Sequence, residues 1–346
     1  MAVPLRIAMV GLGWWGKKML AVLESASDDI AVTRAVEPNL ANVQDLCAQK
    51  NLPVSADLND ALTDPQVEAV VLATPHGLHT SQIAAAAKAG KHIFCEKPLA
   101  LTAAEAERSV ALCCDAGLVL GMGHERRWEP PVAAMLAKAD AGVFGRIHQI
   151  EANFSHDKFV GLDRDNWRLK ADQAPAGGMT ATGIHLLDLS VRLMGPADSV
   201  LCHCESLSSD IQQGDTVAAY IKFIAGGTAY VSASLANPFM SRFTVFGSKG
   251  WMDIRDKAHV EAPEGWMVTS AIGDGPITVE EVGPAEPVKD NLVAFARAVR
   301  GGEPYPITAE HLVQNIALLE AVFRSARSGR IEAVSAPAAV PVEVLA

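Results

Sequence analysis

Three glycines near the amino terminus have the neighbours and the spacing that bind a dinucleotide. Gly11, Gly13 and Gly16 follow a short apolar run, Leu5 to Val10, and precede a helical pattern. In such a motif the first glycine permits a tight turn, the second lets the backbone approach a pyrophosphate, and the third lets helix and strand pack closely. The start of the helix offers unpaired N–H groups to the phosphates. The sequence therefore predicts a dinucleotide site at this turn.

An acidic residue further along indicates which dinucleotide is bound. Glu37 lies 21 residues after Gly16, at the end of a second apolar run, close to the expected distance of about 20. Its carboxylate can accept hydrogen bonds from the adenosine ribose hydroxyls and would repel a 2′-phosphate, and residues 38–40 supply no cation. We therefore expect NAD, with NADP less favoured. FAD, which uses the same fingerprint, stays an alternative.

Two side chains could move the proton that leaves an alcohol when a hydride leaves its carbon. Lys97 follows an apolar strand and precedes Pro98, and both burial and a cationic nicotinamide ring would lower its pKa into a useful range. His185 precedes an apolar helix, and the pKa of an unperturbed histidine is about 6.5. The alternatives are a solvated surface lysine and an ordinary histidine at a helix start. We predict Lys97 and His185 as the catalytic residues.

Three further segments, taken with the glycine motif, resemble one family of enzymes. Residues 73–79 read ATPHGLH, residues 96–98 read EKP and residues 183–188 read GIHLLD. This set resembles the Gfo/Idh/MocA family, named for glucose–fructose oxidoreductase, inositol dehydrogenase and rhizopine catabolism, and the resemblance covers nearly the whole chain. It implies a Rossmann domain followed by an α/β domain with an open sheet. It also implies reversible hydride transfer between NAD(P) and a secondary alcohol carbon, commonly on a sugar or cyclitol.

The residue patterns and the resemblance together give two sets of predicted site residues. The predicted cofactor-binding residues are Gly11, Leu12, Gly13, Trp14, Trp15, Gly16, Glu37, Thr74, Pro75, His76, His79, Glu96 and Lys97. The predicted substrate-binding residues are Arg126, Trp167, Arg168, Thr182, His185 and Asp188. Asp188 would orient the His185 imidazole or bind substrate hydroxyls. The adjacent Arg126 and Arg127 would suit a carboxylate or phosphate on the substrate, or they belong to a charged loop between domains. Pro98 would follow a cis peptide bond, a conformation that is accessible mainly before proline.

The chain departs from the family pattern next to the histidine. Many members carry Asp four residues before it, where this chain has Ala181 between Thr180 and Thr182. Besides a dehydrogenase or reductase, two functions therefore stay open. One is a lyase or glycoside-cleaving enzyme that oxidises its substrate transiently and then reduces it again. The other is a non-enzymatic NAD(H)-binding regulatory protein, against which the retained Lys97 and His185 argue.

The alternation of elements predicts an α/β fold with two domains. Short apolar strands and helices alternate through about residue 123, which is the pattern of a doubly wound parallel sheet. Residues 124–346 instead carry a succession of strands with Gly-rich turns, which predicts a mostly antiparallel sheet with one face covered by helices. We expect a Rossmann domain over 1–123 and a substrate-binding and oligomerisation domain over 124–346, in a homodimer or homotetramer. Helices are expected at 39–50, 290–299 and 309–328.

Composition excludes several classes of protein. The 346 residues are 49% hydrophobic and 20% charged, with a formal net charge of -11, so an ordinary globular protein without a nucleic-acid footprint is expected. No uncharged apolar run reaches the length of about 18 residues needed to span a membrane, and no signal peptide is visible, so we expect a cytoplasmic protein. The cysteines are scattered, and no metal site is expected at residues 202–204 because no second ligand pair follows.

Overall fold

A computed structural model of the chain describes residues 3–335, which divide into two compact units. The first unit joins residues 3–125 to Glu286–Val313, and the second joins Arg126–Ala285 to residues 314–335. The boundary expected after residue 123 thus lies near the end of the first segment. The segment Glu286–Val313 was expected in the second domain but belongs to the first unit. The chain therefore returns to the first unit, and local sequence patterns do not reveal this.

The elements are numbered in chain order. The helices are α1 Trp14–Leu23, α2 Gln44–Gln49, α3 Leu58–Leu62, α4 His79–Lys88, α5 Ala103–Asp115, α6 Pro130–Asp140, α7 Ile184–Met194, α8 Pro287–Val299 and α9 Ala309–Ser328. The strands are β1 Leu5–Val10, β2 Ile30–Val36, β3 Val54–Ser55, β4 Ala69–Leu72, β5 His92–Cys95, β6 Leu120–Met122, β7 Ile147–Ser155, β8 Ala197–Glu205, β9 Thr216–Phe223, β10 Thr228–Ser234, β11 Met240–Gly247, β12 Gly250–Asp256, β13 Trp266–Ile272, β14 Thr278–Val282 and β15 Glu332–Ala333. Over the described part of the chain, no helix is long and apolar enough to cross a membrane.

The first unit contains the predicted parallel sheet. Among residues 3–125 its six strands follow the order β3-β2-β1-β4-β5-β6, and every neighbouring pair is parallel. β4 is buried throughout and β1 nearly so, as expected for strands covered on both faces. β1 and β4 are neighbours at the point where the strand order reverses, with Val10 beside Leu72. The turns that follow these two strands therefore meet at the position where ligands bind in open α/β sheets.

The second unit contains the predicted mostly antiparallel sheet. Over residues 126–335 its nine strands follow the order β14-β13-β12-β11-β7-β10-β9-β8-β15, and β7 and β10 form its parallel pair. Burial alternates along β9, where Val217, Ala219 and Ile221 are buried while Tyr220 and Lys222 are exposed. Helix α7 packs against β7 and β10. One face of the sheet is thus covered, and α7 carries the predicted His185 over its centre.

Two predicted helix boundaries are wrong in detail. The helix expected over 39–50 is interrupted, because a 3₁₀ turn at Leu40–Asn42 precedes α2 and Val43 between them leaves helical geometry with φ -134°. The helix expected from residue 290 begins at Pro287, since proline suits the first turn, where its missing N–H group costs no intrahelical bond.

Asp215 holds the loop before β9 in place. Its buried carboxylate accepts hydrogen bonds from the backbone N–H groups of Leu207, Ser208 and Ser209, at 2.6 to 3.0 Å, and from the Thr216 hydroxyl. Burial alone would raise the pKa of Asp215, but these donors outweigh it and lower the pKa to about 2. The charged form is therefore favoured by folding.

This shift predicts an acid-sensitive contribution to stability. Asp215→Asn should lower the free energy of unfolding at pH 7 by about 2 kcal/mol, since each pKa unit corresponds to about 1.4 kcal/mol. A carboxyl group whose pKa is lower in the folded state stabilises the fold at pH values above its unfolded-state pKa of about 4. This stabilisation is lost as the pH falls toward 2. The difference between wild type and variant in urea unfolding should therefore shrink between pH 4 and pH 2. Asp274→Asn, at an exposed turn, is the control, and a difference independent of pH would contradict the assignment.

Candidate active site

The turn after β1 is tightly constrained around its glycines. Gly11 has a φ of +89°, which favours glycine, and a Cβ there would lie 2.7 Å from the Ala73 carbonyl oxygen. A Cβ on Gly16 would overlap the Gly11 carbonyl oxygen, so α1 packs directly on the turn. Apart from Gly13 itself, its two chain neighbours and the nearby helix backbone, no heavy atom of the described residues lies within 4 Å of a Cβ built on Gly13. The first amides of α1 therefore face open space of the kind a pyrophosphate needs, and the turn fits a dinucleotide.

Glu37 is held beside this turn. Its Oε2 accepts a hydrogen bond from the Leu12 N–H group at 2.9 Å, and its Oε1 accepts one from the Asn39 N–H group at 3.0 Å. The carboxylate is thus fixed at the carboxyl end of β2, next to the glycine turn. A fixed acceptor in this position suits the hydroxyls of an adenosine ribose.

Two tryptophans begin α1. The Trp14 side chain is 53% exposed, and its ring centroid lies 5.5 Å from that of the half-buried Trp15. The indole of Trp15 approaches the carboxyl group of Glu96, where it acts against the effect of burial on that group's pKa. The helix that follows the glycine turn therefore lies near the segment that carries Lys97.

The segment after β4 places the next predicted cofactor residues. Thr74 donates a hydrogen bond from its hydroxyl to the Gln82 side chain at 2.6 Å, and Pro75 leads into a 3₁₀ turn at His76–Leu78. His76 is buried, with its ring centroid 6.0 Å from that of His79. These residues lie at the carboxyl end of β4, beside the glycine turn.

His79 joins two loops of the first unit. Its fully buried ring places Nδ1 2.7 Å from the Pro98 carbonyl oxygen and Nε2 3.0 Å from the Thr74 carbonyl oxygen. Burial lowers the pKa of His79, and the charge of Lys97 adds to that effect. A neutral imidazole has one N–H group, and the shorter distance to Pro98 favours placing it on Nδ1. This ring supports the loops on either side of the predicted nicotinamide end.

The hydrogen bond to Pro98 and the close contact with Thr74 predict a positioning role for His79. His79→Ala should weaken NADH binding about tenfold and lower the free energy of unfolding by about 2 kcal/mol, because buried carbonyl groups lose a donor. His79→Asn, which keeps an N–H group near the Nδ1 position, should recover part of the affinity. Quenching of tryptophan fluorescence by NADH measures the affinity. His92→Asn, at the opposite end of β5, is the control, and an unaltered affinity in His79→Ala would refute this role.

Glu96 and Lys97 follow β5 at the same end of the sheet. The carboxylate of Glu96 is 94% buried, and a Cβ on Gly123 would lie 2.5 Å from its Oε1. Burial raises the pKa of Glu96, against the opposing effects of the Lys97 charge and the Trp15 indole. Lys97 is half-buried, donates its backbone N–H group to Glu96 Oε2 at 3.3 Å, and is joined to Pro98 by the predicted cis peptide bond.

His185 lies in the second unit, at the start of α7. Its side chain is buried, and its ring centroid lies 6.4 Å from that of Phe154 on β7. Residues Met179–Gly183 form a π-helical turn immediately before it, a rare geometry that is frequent at functional sites. Thr182 in this turn donates its hydroxyl to the Phe154 carbonyl oxygen at 2.7 Å. The turn thereby fixes the approach of α7 to the sheet.

Asp188 is engaged by Arg127. Both carboxylate oxygens lie 2.7 Å from guanidinium nitrogens, and the two side chains are almost completely buried. The bidentate geometry is that of a strong charge-assisted pair. Asp188 was predicted to bind substrate or to orient His185, and these roles remain predictions. The structure adds that its charge is balanced by Arg127.

Arg126 is likewise surrounded by acidic partners. Its guanidinium donates to the Ser241 hydroxyl at 2.8 Å and to both carboxylate oxygens of Asp256, and it lies 3.3 Å from Glu129. It also stacks 5.2 Å above the ring of Phe154. Because the side chain is 98% buried and balanced by two carboxylates, its arrangement differs from that of a cation available to an anionic substrate.

Trp167 and Arg168 lie on a 3₁₀ turn capped by Asn166. The Asn166 side chain accepts a hydrogen bond from the Arg168 N–H group at 3.0 Å, and the Arg168 guanidinium lies 4.4 Å from the centre of the Trp167 ring. Burial lowers the pKa of Arg168. The two side chains therefore form one stacked unit.

Two side-chain contacts in these units could not be predicted from the sequence. Arg127 and Asp188 are 61 residues apart, and His79 and Pro98 are 19 residues apart. Adjacent arginines and a histidine after Thr-Pro mark candidate positions. The partner of each side chain depends on which loops the sheets bring together.

Comparisons with known proteins agree with this arrangement. Residues 5–124 match the oxidoreductase family with an NAD-binding Rossmann fold, GFO_IDH_MocA, and residues 132–253 match the GFO/IDH/MocA C-terminal domain. The chain is 30% identical to 1,5-anhydro-D-fructose reductase of Ensifer adhaerens, over 79% of this chain and 81% of the relative. It is 26% identical to D-xylose 1-dehydrogenase (NADP(+)) 2 of Haloferax volcanii, over 89% and 93%.

A solved structure supports the fold. Aldose-aldose oxidoreductase of Caulobacter crescentus has a TM-score of 0.84 at 23% identity, covering 95% of this chain and 99% of that one. With both domains matched in sequence and the two sheets in place, the chain belongs to the Gfo/Idh/MocA family of NAD(P)-binding oxidoreductases.

Proposed function

We propose that this enzyme transfers a hydride between NAD(H) and a secondary alcohol or ketone of a sugar, cyclitol or related cyclic compound. The observation that carries the proposal is the half-buried Lys97 beside the buried Glu96, in the same unit as a glycine turn that fits a dinucleotide. The names of relatives that act on anhydrofructose and xylose support the substrate class.

The choice of NAD over NADP rests on Glu37. Its carboxylate is held at the carboxyl end of β2 by two backbone N–H groups. A 2′-phosphate would bring a second negative charge close to it, and the residues that follow directly supply no cation to offset the repulsion. The Haloferax relative is named for NADP, so this preference is a property proposed for this chain's own residues.

Lys97 and His185 have separate roles in the proposal. A bound nicotinamide ring supplies the hydride acceptor or donor. Lys97 accepts the hydroxyl proton on its neutral amine during oxidation, and the resulting ammonium returns the proton during reduction, so the same side chain acts as general base and general acid. His185, buried at the start of α7, is proposed to assist at the substrate hydroxyl.

An absorbance screen at the NADH band tests the proposal. The enzyme is offered NAD⁺ or NADP⁺ with sugars, cyclitols, sugar acids and dihydrodiols, and we expect NAD⁺ to be reduced with at least one neutral polyol. Product without net NADH would instead indicate transient oxidation followed by elimination or hydrolysis. Cofactor binding without turnover across the panel would favour a regulatory protein, and faster reduction of NADP⁺ would overturn the assignment to Glu37.

A further inference from the structure

A cavity of about 290 Å³ lies in the second unit between two loops. It is lined by side chains from 159–170 and from 209–212. Its apolar lining comes from Phe159, Val160, Leu162, Leu169 and Ile211, and Leu169 and Ile211 form a buried cluster with Leu235. Because an apolar cavity of about 150 Å³ can hold benzene, this cavity has room for one six-membered ring.

The charged residues at the cavity are paired. Arg164 forms an ion pair with Asp210, and Lys170 forms one with Asp165 at 3.2 Å. The two cations and two anions balance each other, so the cavity offers no net charge to a ligand. An uncharged group with apolar surface therefore suits it better than a carboxylate or a phosphate does.

The loops that form the cavity are held together by side chains outside it. Gln213 donates a side-chain hydrogen bond to the Arg168 carbonyl oxygen at 2.5 Å, which joins the two loops. Asp215 binds the backbone of the second loop, including the Ser209 N–H group at 2.6 Å. The cavity is thus built before a ligand arrives, which reduces the ordering cost of binding.

Ala181 connects the cavity to the candidate catalytic helix. Its methyl group packs against the cluster of Leu169, Ile211 and Leu235. Four residues later, about one helical turn, comes His185. A substrate whose hydroxyl is bound by His185 would therefore place a neighbouring substituent toward the apolar side chains of the cavity.

We propose that this cavity binds an uncharged apolar substituent of the substrate, such as the aryl or alkyl aglycone of a glycoside. The proposal rests on the proposed function for the identity of the sugar portion. The recognition of the apolar group rests on the cavity alone, and the two can be tested separately.

Binding to the NADH-loaded enzyme tests the cavity without turnover. Phenol is titrated while its proton signals are followed by saturation-transfer NMR, and phenyl and methyl β-D-glucopyranoside are titrated by calorimetry. We expect saturation of the phenol ring and an affinity for the phenyl glucoside at least about tenfold above that for the methyl glucoside. No saturation of phenol, or equal affinities for two glucosides that both bind, would overturn the proposal.

Two matched variants localise the effect. Val160 lines the cavity and is 56% exposed, whereas Val279 is 64% exposed on β14 and does not line it. Val160→Asp should abolish phenol saturation and lower phenyl glucoside affinity about tenfold while leaving methyl glucoside affinity unchanged, and Val279→Asp should match wild type. Equal behaviour of the two variants would place phenol elsewhere and overturn the proposal.

Phenol binding without any hydride transfer in the absorbance screen would instead refute the proposed function and leave the cavity assignment standing.

Discussion

Replacing Lys97 with Met should lower kcat by about 10²- to 10⁴-fold while leaving the dissociation constant of NADH within a few-fold of wild type. Methionine fills a similar volume but carries no ionisable group, so the proton from the substrate hydroxyl loses its acceptor. Steady-state rates at the NADH band, with the fastest substrate from the screen, measure kcat. Fluorescence titration measures the binding of NADH.

Two further variants separate proton transfer from charge and from general perturbation. Lys97→Arg keeps a positive charge but cannot release its proton at accessible pH, so it should be nearly as inactive as Lys97→Met. Lys88→Met, at the exposed end of α4, should behave as wild type. Near-wild-type turnover in Lys97→Met would refute the role of Lys97 in proton transfer. Substantial activity in Lys97→Arg would show that Lys97 contributes only its positive charge.

Replacing Asp188 with Ala should lower the free energy of unfolding by about 3–5 kcal/mol, because Arg127 would keep a buried charge without this carboxylate. Urea unfolding monitored by tryptophan fluorescence measures the change. The double replacement of Arg127 and Asp188 by Leu should recover most of the loss, since two apolar side chains need no charge partner. The size of that recovery distinguishes the cost of an isolated charge from the value of the pair itself.

An exposed pair in the same unit provides the comparison. Arg192 binds both carboxylate oxygens of Asp140 at 2.7 and 2.8 Å, but the Asp140 side chain is 57% exposed. Asp140→Ala should therefore cost no more than about 1 kcal/mol, because water replaces the lost partner. If Asp140→Ala and Asp188→Ala lowered the free energy of unfolding equally, burial would not explain the contribution of the Arg127–Asp188 pair to stability.

Much of the fold could be predicted from local patterns. The apolar run before the glycine motif and the alternation of short apolar strands with helices predicted a buried parallel sheet, and β1 and β4 have that burial. Alternating burial along β9 matches its predicted position in a sheet with one covered face. The return of α8 to the first unit could not be predicted, because an amphipathic helix of this kind can pack on many apolar surfaces.

The sequence is more informative about the predicted cofactor-binding residues than about the predicted substrate-binding residues. The glycine turn and Glu37 have the geometry expected from their spacing, because turn conformation and strand ends are local properties. Arg126 was predicted to bind substrate from the family resemblance, and one of its two carboxylate partners, Asp256, comes from a distant strand of the chain. A sequence reveals that a side chain is charged, whereas its partners depend on which segments the sheets bring into contact.

By itself, the sequence determined the family, and it predicts the dinucleotide-binding turn and the two proton-transfer residues, because each depends on residue types in short motifs. Only the tertiary structure decided that His79 joins two loops, that Arg127 balances Asp188 and that Ala181 borders an apolar cluster. These features depend on contacts between segments far apart in the chain. Burial then determines how much each contact contributes to stability, because a buried polar group that loses its partner cannot bind water instead.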